Sequence, residues 1–399
     1  MKILVINAGS SSLKYQLIDM NGEVLIAKGL CDRIGHPESS CIEHKVGADK
    51  FVTNISMPSH VEAFEAVINA LSSGDGKVIN NVSEISAIGH RVVQGGSIYS
   101  ESVLIDEKVL SDIEELAELA PLHNPANAQA IKACTKVFGS DVPQVAVFDT
   151  AFHQTMPAKA YIYALPYEYY EKYGIRRYGA HGTSHRFVSA RLAEVMGKNI
   201  NDIKMITCHL GNGCSISAVK NGECIDTSMG LTPLDGFMMG TRSGGVDPSI
   251  LTYLMKKDDI SPDEMNTILN KKSGLLGVSG VSNDSRDVIS ASEAGNERAR
   301  LAFEMQNYQI AKYIGSYAAA MGGVDAIVFT GGIGENERRS RKYICEHIEF
   351  LGFKLDLNNN DTSGKEIEIS TPDSKVKVWV VPTNEELLIA RDTLVIVSK

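Results

Sequence analysis

Two arginines, a histidine and two carboxylates carry the chemistry this sequence can do. Arg91 stands in Gly-His-Arg-Val-Val and Arg242 in Gly-Thr-Arg-Ser-Gly. Arginine forks neutralise phosphoryl oxygens, and a surface salt bridge is the competing reading for each. His181 precedes Gly182 and reads as a loop donor toward a ligand. His185 reads as structural, and His123 stays open between the two. Asp149 follows an apolar run, where carboxylates of nucleotide-binding folds meet Mg²⁺; a turn cap is the alternative. Glu385 opens the last helical segment, where the helix dipole alone would also favour a carboxylate.

Three Gly-rich turns at strand ends add phosphate-binding potential: Asn7–Ser12, Leu210–Ser215 and Thr330–Asn336. Small residues let backbone N–H groups approach an anion. In the first turn Ser10, Ser11, Ser12 and Lys14 add hydroxyls and an ammonium, although an ordinary tight hairpin uses the same residues. Together the three turns point to a nucleotide held between two domains. Neither G-x-x-x-x-G-K-[ST] nor G-x-G-x-x-G occurs, which demotes P-loop and dinucleotide-binding readings.

The elements that must position these residues repeat. Lys2–Ile6, Leu13–Ile18 and Glu23–Ala27 read as strands, with Asn21-Gly22 as a hairpin turn. Met205–His209, Ser215–Val219 and Glu223–Thr227 read the same way, with Asn221-Gly222. The matched order predicts a duplicated α/β fold. Further strands are expected at 84–93, 144–148, 326–330 and 376–381. Helices are expected at 61–71, 106–119, 127–138, 296–321, after 331–336 through Leu351, and from Glu385. Thr183 or Ser184 is expected to cap a helix running to Met196. A domain boundary is placed near residue 150, giving domains 1–150 and 151–384, the first completed by the helix 385–399.

The 399 residues include 43% hydrophobic and 22% charged side chains, as in a soluble globular protein of two domains. A net charge of −10 argues against nucleic-acid binding. No run is long enough for a signal-peptide core or a membrane span. The seven scattered cysteines form no C-x-x-C pair and read as reduced thiols of a cytoplasmic protein.

Asn7-Ala-Gly-Ser-Ser-Ser-Leu-Lys14, Val147–Pro157, His181-Gly-Thr-Ser-His185, Gly240-Thr-Arg-Ser-Gly244 and Phe329–Asn336 together resemble the acetokinase family of short-chain carboxylate kinases, in order along the whole chain. The resemblance implies the duplicated actin-like ATPase fold with a central cleft, a homodimer, and reversible transfer from ATP to acetate with Mg²⁺ or Mn²⁺, giving acetyl phosphate and ADP on the way to acetyl-CoA. It implies that Arg91 and Arg242 flank the transferred phosphoryl and that His181 hydrogen-bonds it. Asn7, Asp149 and Glu385 would serve the metal and its waters. Ser10, Ser12, Lys14, His209, Leu210, Gly211, Asn212 and Gly213 would meet the phosphates. Asp284, Ser285, Arg286, Gly331, Gly332, Ile333, Gly334 and Asn336 would surround the nucleotide. Val93, Leu122 and Pro233 would line the acyl pocket.

Three positions depart from the family pattern: Ala180 and Ser285 where Phe is usual, and Gln94 where His is usual. Ala180 is expected to enlarge the acyl pocket and favour propionate or butyrate, at about 0.8 kcal/mol per buried methylene. A sugar kinase using Asp149 as base, and a non-catalytic ATP-switched module, are the competing classes.

Overall fold

The computed structural model describes residues 1–121 and 123–399. Two compact units emerge, one of Met1–Ala151 with Asn384–Lys399, the other of Phe152–Thr383.

The first unit holds strands β1 (Lys2–Ala8), β2 (Ser12–Asp19), β3 (Val24–Asp32), β4 (Cys41–Val46), β5 (Asp49–Asn54), β6 (Ile85–Val92), β7 (Val103–Leu104) and β8 (Gln144–Phe148). Their order in the sheet is β5-β4-β3-β2-β1-β6-β8-β7. β1 pairs antiparallel with β2 and parallel with β6, which pairs parallel with β8. The side chains of β1 are buried on both faces, because helices cover both. Leu4 and Ile6 meet Phe64, Val67 and Cys134 from the helices His60–Ser72 and Asn124–Phe138, whereas Ile3 and Val5 meet Ile389 and Ala390 of the last helix, Glu385–Val397. Gly89 is required for that last contact, since a Cβ there would sit 2.6 Å from Ile389 Cγ2.

The second unit holds β9 (Lys204–Leu210), β10 (Cys214–Lys220), β11 (Glu223–Thr227), β12 (Ala326–Thr330), β13 (Ile367–Glu368) and β14 (Lys377–Val380), ordered β11-β10-β9-β12-β14-β13. β9 pairs antiparallel with β10 and parallel with β12, and β12 parallel with β14. The path β3-β2-β1-β6-β8 of the first sheet thus recurs as β11-β10-β9-β12-β14, the duplicated α/β fold expected from the repeated strand order. Ile206 and Cys208 join a core with Ile310 and Ile314 of the long helix Glu297–Met321. Met205 packs with Val188 and Leu192 of the helix Gly182–Val195.

Three expectations are corrected. The helix after His181 starts at Gly182 with His181 itself at the cap position, so neither Thr183 nor Ser184 caps it. The expected turn at 331–336 is itself a short helix, Gly331–Asn336, and Glu337 separates it from a second helix, Arg338–Ile348, which it caps by accepting from Arg339 N–H. Residues 41–54 form an unanticipated hairpin, β4–β5, turned at Gly47, whose φ of +57° favours glycine.

Candidate active site

In the first unit, parallel pairing brings the C-terminal ends of β1, β6 and β8 side by side, the usual place for ligands in such sheets. Asn7, Arg91 and Asp149 occupy these ends. Arg91 grips the Asp149 carboxylate through Nε at 3.1 Å and Nη2 at 2.5 Å, donates from Nη1 to Asn7 Oδ1 at 3.4 Å, and lies 3.8 Å from Glu385 Oε2. Asn384 caps the last helix, its side chain accepting from Leu387 N–H, and so fixes where Glu385 enters. The helix Asn124–Phe138 clamps the surrounding loops. Asn127 donates to Ala8 C=O and accepts from Val93 N–H, and Asn124 exchanges hydrogen bonds with the backbone of Gln94. Gln94 is itself buried and accepts from Gly96 N–H, so it holds its own turn. Leu122, expected in the acyl pocket, lies outside the described residues; Val93 is half-buried.

Burial works against the Arg91 charge, but Asp149 and Glu385 outweigh it and raise its pKa. Glu385 is pushed up to about 7, chiefly by burial, with Asp149 and Glu386 adding repulsion that Arg91 and Lys14 offset only in part. Two carboxyl groups and an amide oxygen around one guanidinium make an all-oxygen set that gains surplus negative charge once Glu385 ionises, near pH 7. That chemistry fits Mg²⁺, which takes one or two protein carboxylates and completes its shell with water and phosphate oxygens. Among the described residues no three His, Cys, Asp or Glu side chains could hold a metal by themselves.

The hairpin between β1 and β2 is closed by Gly9 N–H donating to Ser12 C=O, and His60 Nε2 lies 2.9 Å from Gly9 C=O. Asn7 pairs in register with Lys14, whose side chain is exposed. Ser10 lines a separate cavity of 490 Å³ with Lys132 and Lys136.

In the second unit, the turn after β9 carries the counterpart site. Gly211 N–H donates to Gly213 C=O, and Asn212 C=O accepts from Gly240 N–H, which ties the turn to the Arg242 loop. A Cβ on Gly213 would lie 3.3 Å from Arg242 Nη1 and 3.6 Å from His181 Nε2, so these two donors meet across a glycine. Arg242 Nη1 donates to Pro233 C=O at 3.1 Å, and among the described residues no carboxylate pairs with it. Burial accordingly lowers its pKa, Cys214 only partly offsetting this.

His181 adopts φ 58°, ψ 23°, a left-handed backbone that costs a non-glycine residue about 1 kcal/mol or more and clusters at functional positions. Its ring stacks on His209 at 4.3 Å and its Nδ1 lies 2.8 Å from Ser215 Oγ. His209 Nδ1 lies 2.7 Å from Ser184 Oγ, which donates to Thr383. His185 is fully buried between Ser215 and Thr207. Ala180, expected to widen an acyl pocket, is 4% exposed and belongs to the apolar core with Cys214 and Phe237.

A cavity of 630 Å³ opens beside the same turn. Gly211, Asn212, Asp284, Ser285, Arg286, Gly332, Ile333 and Asn336, all expected around a nucleotide or its phosphates, line this one cavity. Asp284 caps the helix Ser285–Glu293 and is gripped by Arg286. The 331–336 turn adjoins the 211–213 turn: Gly331, at φ 76°, leaves a Cβ only 2.8 Å from Leu210 C=O, and Glu335 Oε1 accepts from Gly331 N–H and Thr383 N–H. Gly331 and Gly334 are buried in this support, and the wall itself is Gly332, Ile333 and Asn336. Sequence reasoning missed Asn283, Glu337 and Arg339 in the wall. A paired Glu337–Arg339 carries no phosphate-binding pattern that spacing could reveal.

The family described as the Acetokinase family matches residues 2–391. An acetate kinase of Thermotoga maritima is 59% identical over 402 residues, covering 100% of this chain and 99% of that protein. Among solved structures, the acetate kinase of Porphyromonas gingivalis superposes with a TM-score of 0.96 at 49% identity, over 99% of both chains. A propionate kinase from Francisella tularensis superposes with a TM-score of 0.92 at 44% identity, also over 99% of both. With a match over nearly its whole length and an arrangement to go with it, the chain belongs to the Acetokinase family.

Proposed function

We propose that this enzyme transfers the terminal phosphoryl group of ATP reversibly to acetate, forming acetyl phosphate and ADP. One observation supports the reading within the second unit: Gly211 and Asn212 line the 630 Å³ cavity, and the next residue of the turn, Gly213, has the donors of His181 and Arg242 beside it. A phosphate chain running from the cavity along the turn ends at those donors.

The acetate carboxylate is ionised at pH 7, so one of its oxygens attacks the γ-phosphorus directly while the bond to the ADP oxygen breaks. No general base is needed. Catalysis then consists of positioning two anions and stabilising charge on the equatorial oxygens. Arg242 and His181 donate to the transferred group. Arg91, gripped by Asp149, orients the attacking carboxylate, and the family resemblance assigns its methyl group to Val93, Leu122 and Pro233. Asn212 and Gly213 meet the phosphates, while Asp284, Arg286 and Ile333 hold the nucleoside. Asn7 and Glu385 would hold Mg²⁺, or Mn²⁺ in its place, with Asp149 on its waters; the ion would neutralise phosphate charge. On the family resemblance we assign a cytoplasmic homodimer. No helix among the described residues is long and apolar enough to cross a membrane.

Hydroxylamine trapping tests the reaction. Acetyl hydroxamate must accumulate only with both ATP and acetate present; a sugar phosphate would give none. The competing expectation, preference for propionate or butyrate, loses the pocket volume Ala180 was to supply, since Ala180 packs in the apolar core. Comparing kcat/KM for the three acids separates the two: acetate leading supports the first, a longer acid leading the second.

A further inference from the structure

Four side chains of the second unit form one hydrogen-bonded chain leading to His181. At its far end Thr207 Oγ donates to Ser217 C=O at 3.4 Å. That leaves the Thr207 oxygen as acceptor for His185 Nδ1, 2.7 Å away. His185 Nε2 lies 2.7 Å from Ser215 Oγ, which lies 2.8 Å from His181 Nδ1. Thr207, His185 and Ser215 are all fully buried. Strand β9 supplies Thr207, β10 supplies Ser215, and the first turns of the helix Gly182–Val195 supply His185, so all three are rigidly mounted.

A hydroxyl has one proton and a neutral imidazole has one N–H, so the direction of such a chain is set at one end and propagates. Burial, with His153 and His209 nearby, keeps His185 uncharged. With its proton on Nδ1 toward Thr207, His185 Nε2 must accept from Ser215 Oγ–H. Ser215 then has only a lone pair to offer His181. We propose that Thr207 acts through His185 and Ser215 as a positioning residue, fixing the neutral form of His181 with its proton on Nδ1, so that Nε2 donates a hydrogen bond only when the ring is imidazolium.

The inference rests on the assignment of His181 to the transferred phosphoryl group. It adds that the residue works as a cation, which an anionic transition state favours. The groups facing His181 are consistent with a ring whose charge is set locally. His209 stacks on one face, His185 lies beyond Ser215, and His153 rests edge-on against His185. Arg242 approaches across Gly213, and Cys214 is kept as the thiol by burial, its pKa pushed up to about 12.

The test replaces Thr207 by its isostere valine and, separately, by serine. In Thr207→Val the His185 Nδ1 faces a methyl group, its proton moves to Nε2, Ser215 turns its hydroxyl toward His181 Nδ1, and the neutral His181 then carries its proton on Nε2. Nitrogen-15 histidine spectra of the ligand-free protein, recorded above the His181 titration, read this directly. Wild type and Thr207→Ser must show the Nδ1–H form and Thr207→Val the Nε2–H form. In the pH profile of kcat, the falling basic limb must move up by about one pH unit or more in Thr207→Val and stay in place in Thr207→Ser. An Nε2–H form in the wild type, or a tautomer and basic limb unmoved by Thr207→Val, overturns the proposal. If His181→Ala keeps the wild-type kcat, the phosphoryl role of His181 fails instead, and the spectra still report on the chain.

Discussion

The two units carry the same strand order but place oppositely charged sites at corresponding strand ends. In the first, Arg91 is already claimed: it donates twice to Asp149, Glu385 stands beside it, and the set gains surplus negative charge as Glu385 ionises near pH 7. In the second, Arg242 has a backbone carbonyl and a glycine turn for neighbours and no carboxylate among the described residues. A half-buried guanidinium without a carboxylate partner is costly and marks a place where an anion can bind. One site thus suits a cation and a carboxylate's orientation, the other a phosphoryl group. Duplicated topology fixes where the ligand groups stand, and the turn residues decide their sign.

The contrast can be broken by mutation. Arg242→Ala has the largest expected effect, a fall in kcat of about 10³ or more, near 4 kcal/mol, with the fold retained, because no native ion pair is lost. The hydroxamate rate and the Tm, taken on one sample, check both halves of that statement. Arg91→Ala should behave differently. Removing it takes away the guanidinium that Asp149 and Glu385 share, and the protein should lose about 3 kcal/mol of stability together with its activity, read by urea unfolding.

The pH dependence sharpens the comparison further. Glu385 holds its proton up to about pH 7 in the folded protein and releases it near pH 4.3 when unfolded. Between these values the folded state binds the extra proton, so its contribution to stability is present at low pH and is lost as pH rises through that window, by about 3–4 kcal/mol in all. Glu385→Gln should flatten this slope in unfolding measurements between pH 5 and 8, whereas Arg242→Ala should leave it intact. The smallest effect is expected from Asn384→Ala. Loss of the cap should cost about 1 kcal/mol, seen as a modest fall in Tm, and raise the KM for acetate through Glu385 and Arg91 more than that for ATP.

Most of the fold was legible because its signals are local. Asn-Gly turns and short apolar runs marked β1–β3 and β9–β11, and the repeat gave the topology. The hairpin at 41–54 escaped, since β4 buries only Ile42 and His44 and β5 is exposed apart from a half-buried Phe51, which leaves no apolar run. The cap at His181 escaped for a different reason. Its left-handed backbone is held by Ser215 and stacking on His209, contacts from β9 and β10 that no local preference encodes. Arginines and glycine turns could be picked out by type and spacing. Asn124, Asn127, Thr207 and Ser215 could not, because their roles come from buried polar groups seeking partners far away in sequence. Ala180 shows the converse: read as pocket volume in the sequence, it sits in the core.

The most direct test of the central claim separates binding from chemistry at Arg242. Wild type and Arg242→Ala are compared under single turnover, with ATP and acetate saturating and hydroxylamine trapping the product. The account predicts ATP affinity within about threefold of wild type, since the cavity walls are untouched, and a chemical step slowed by about 10³. An Arg242→Ala enzyme that forms acetyl hydroxamate as fast as the wild type would contradict it.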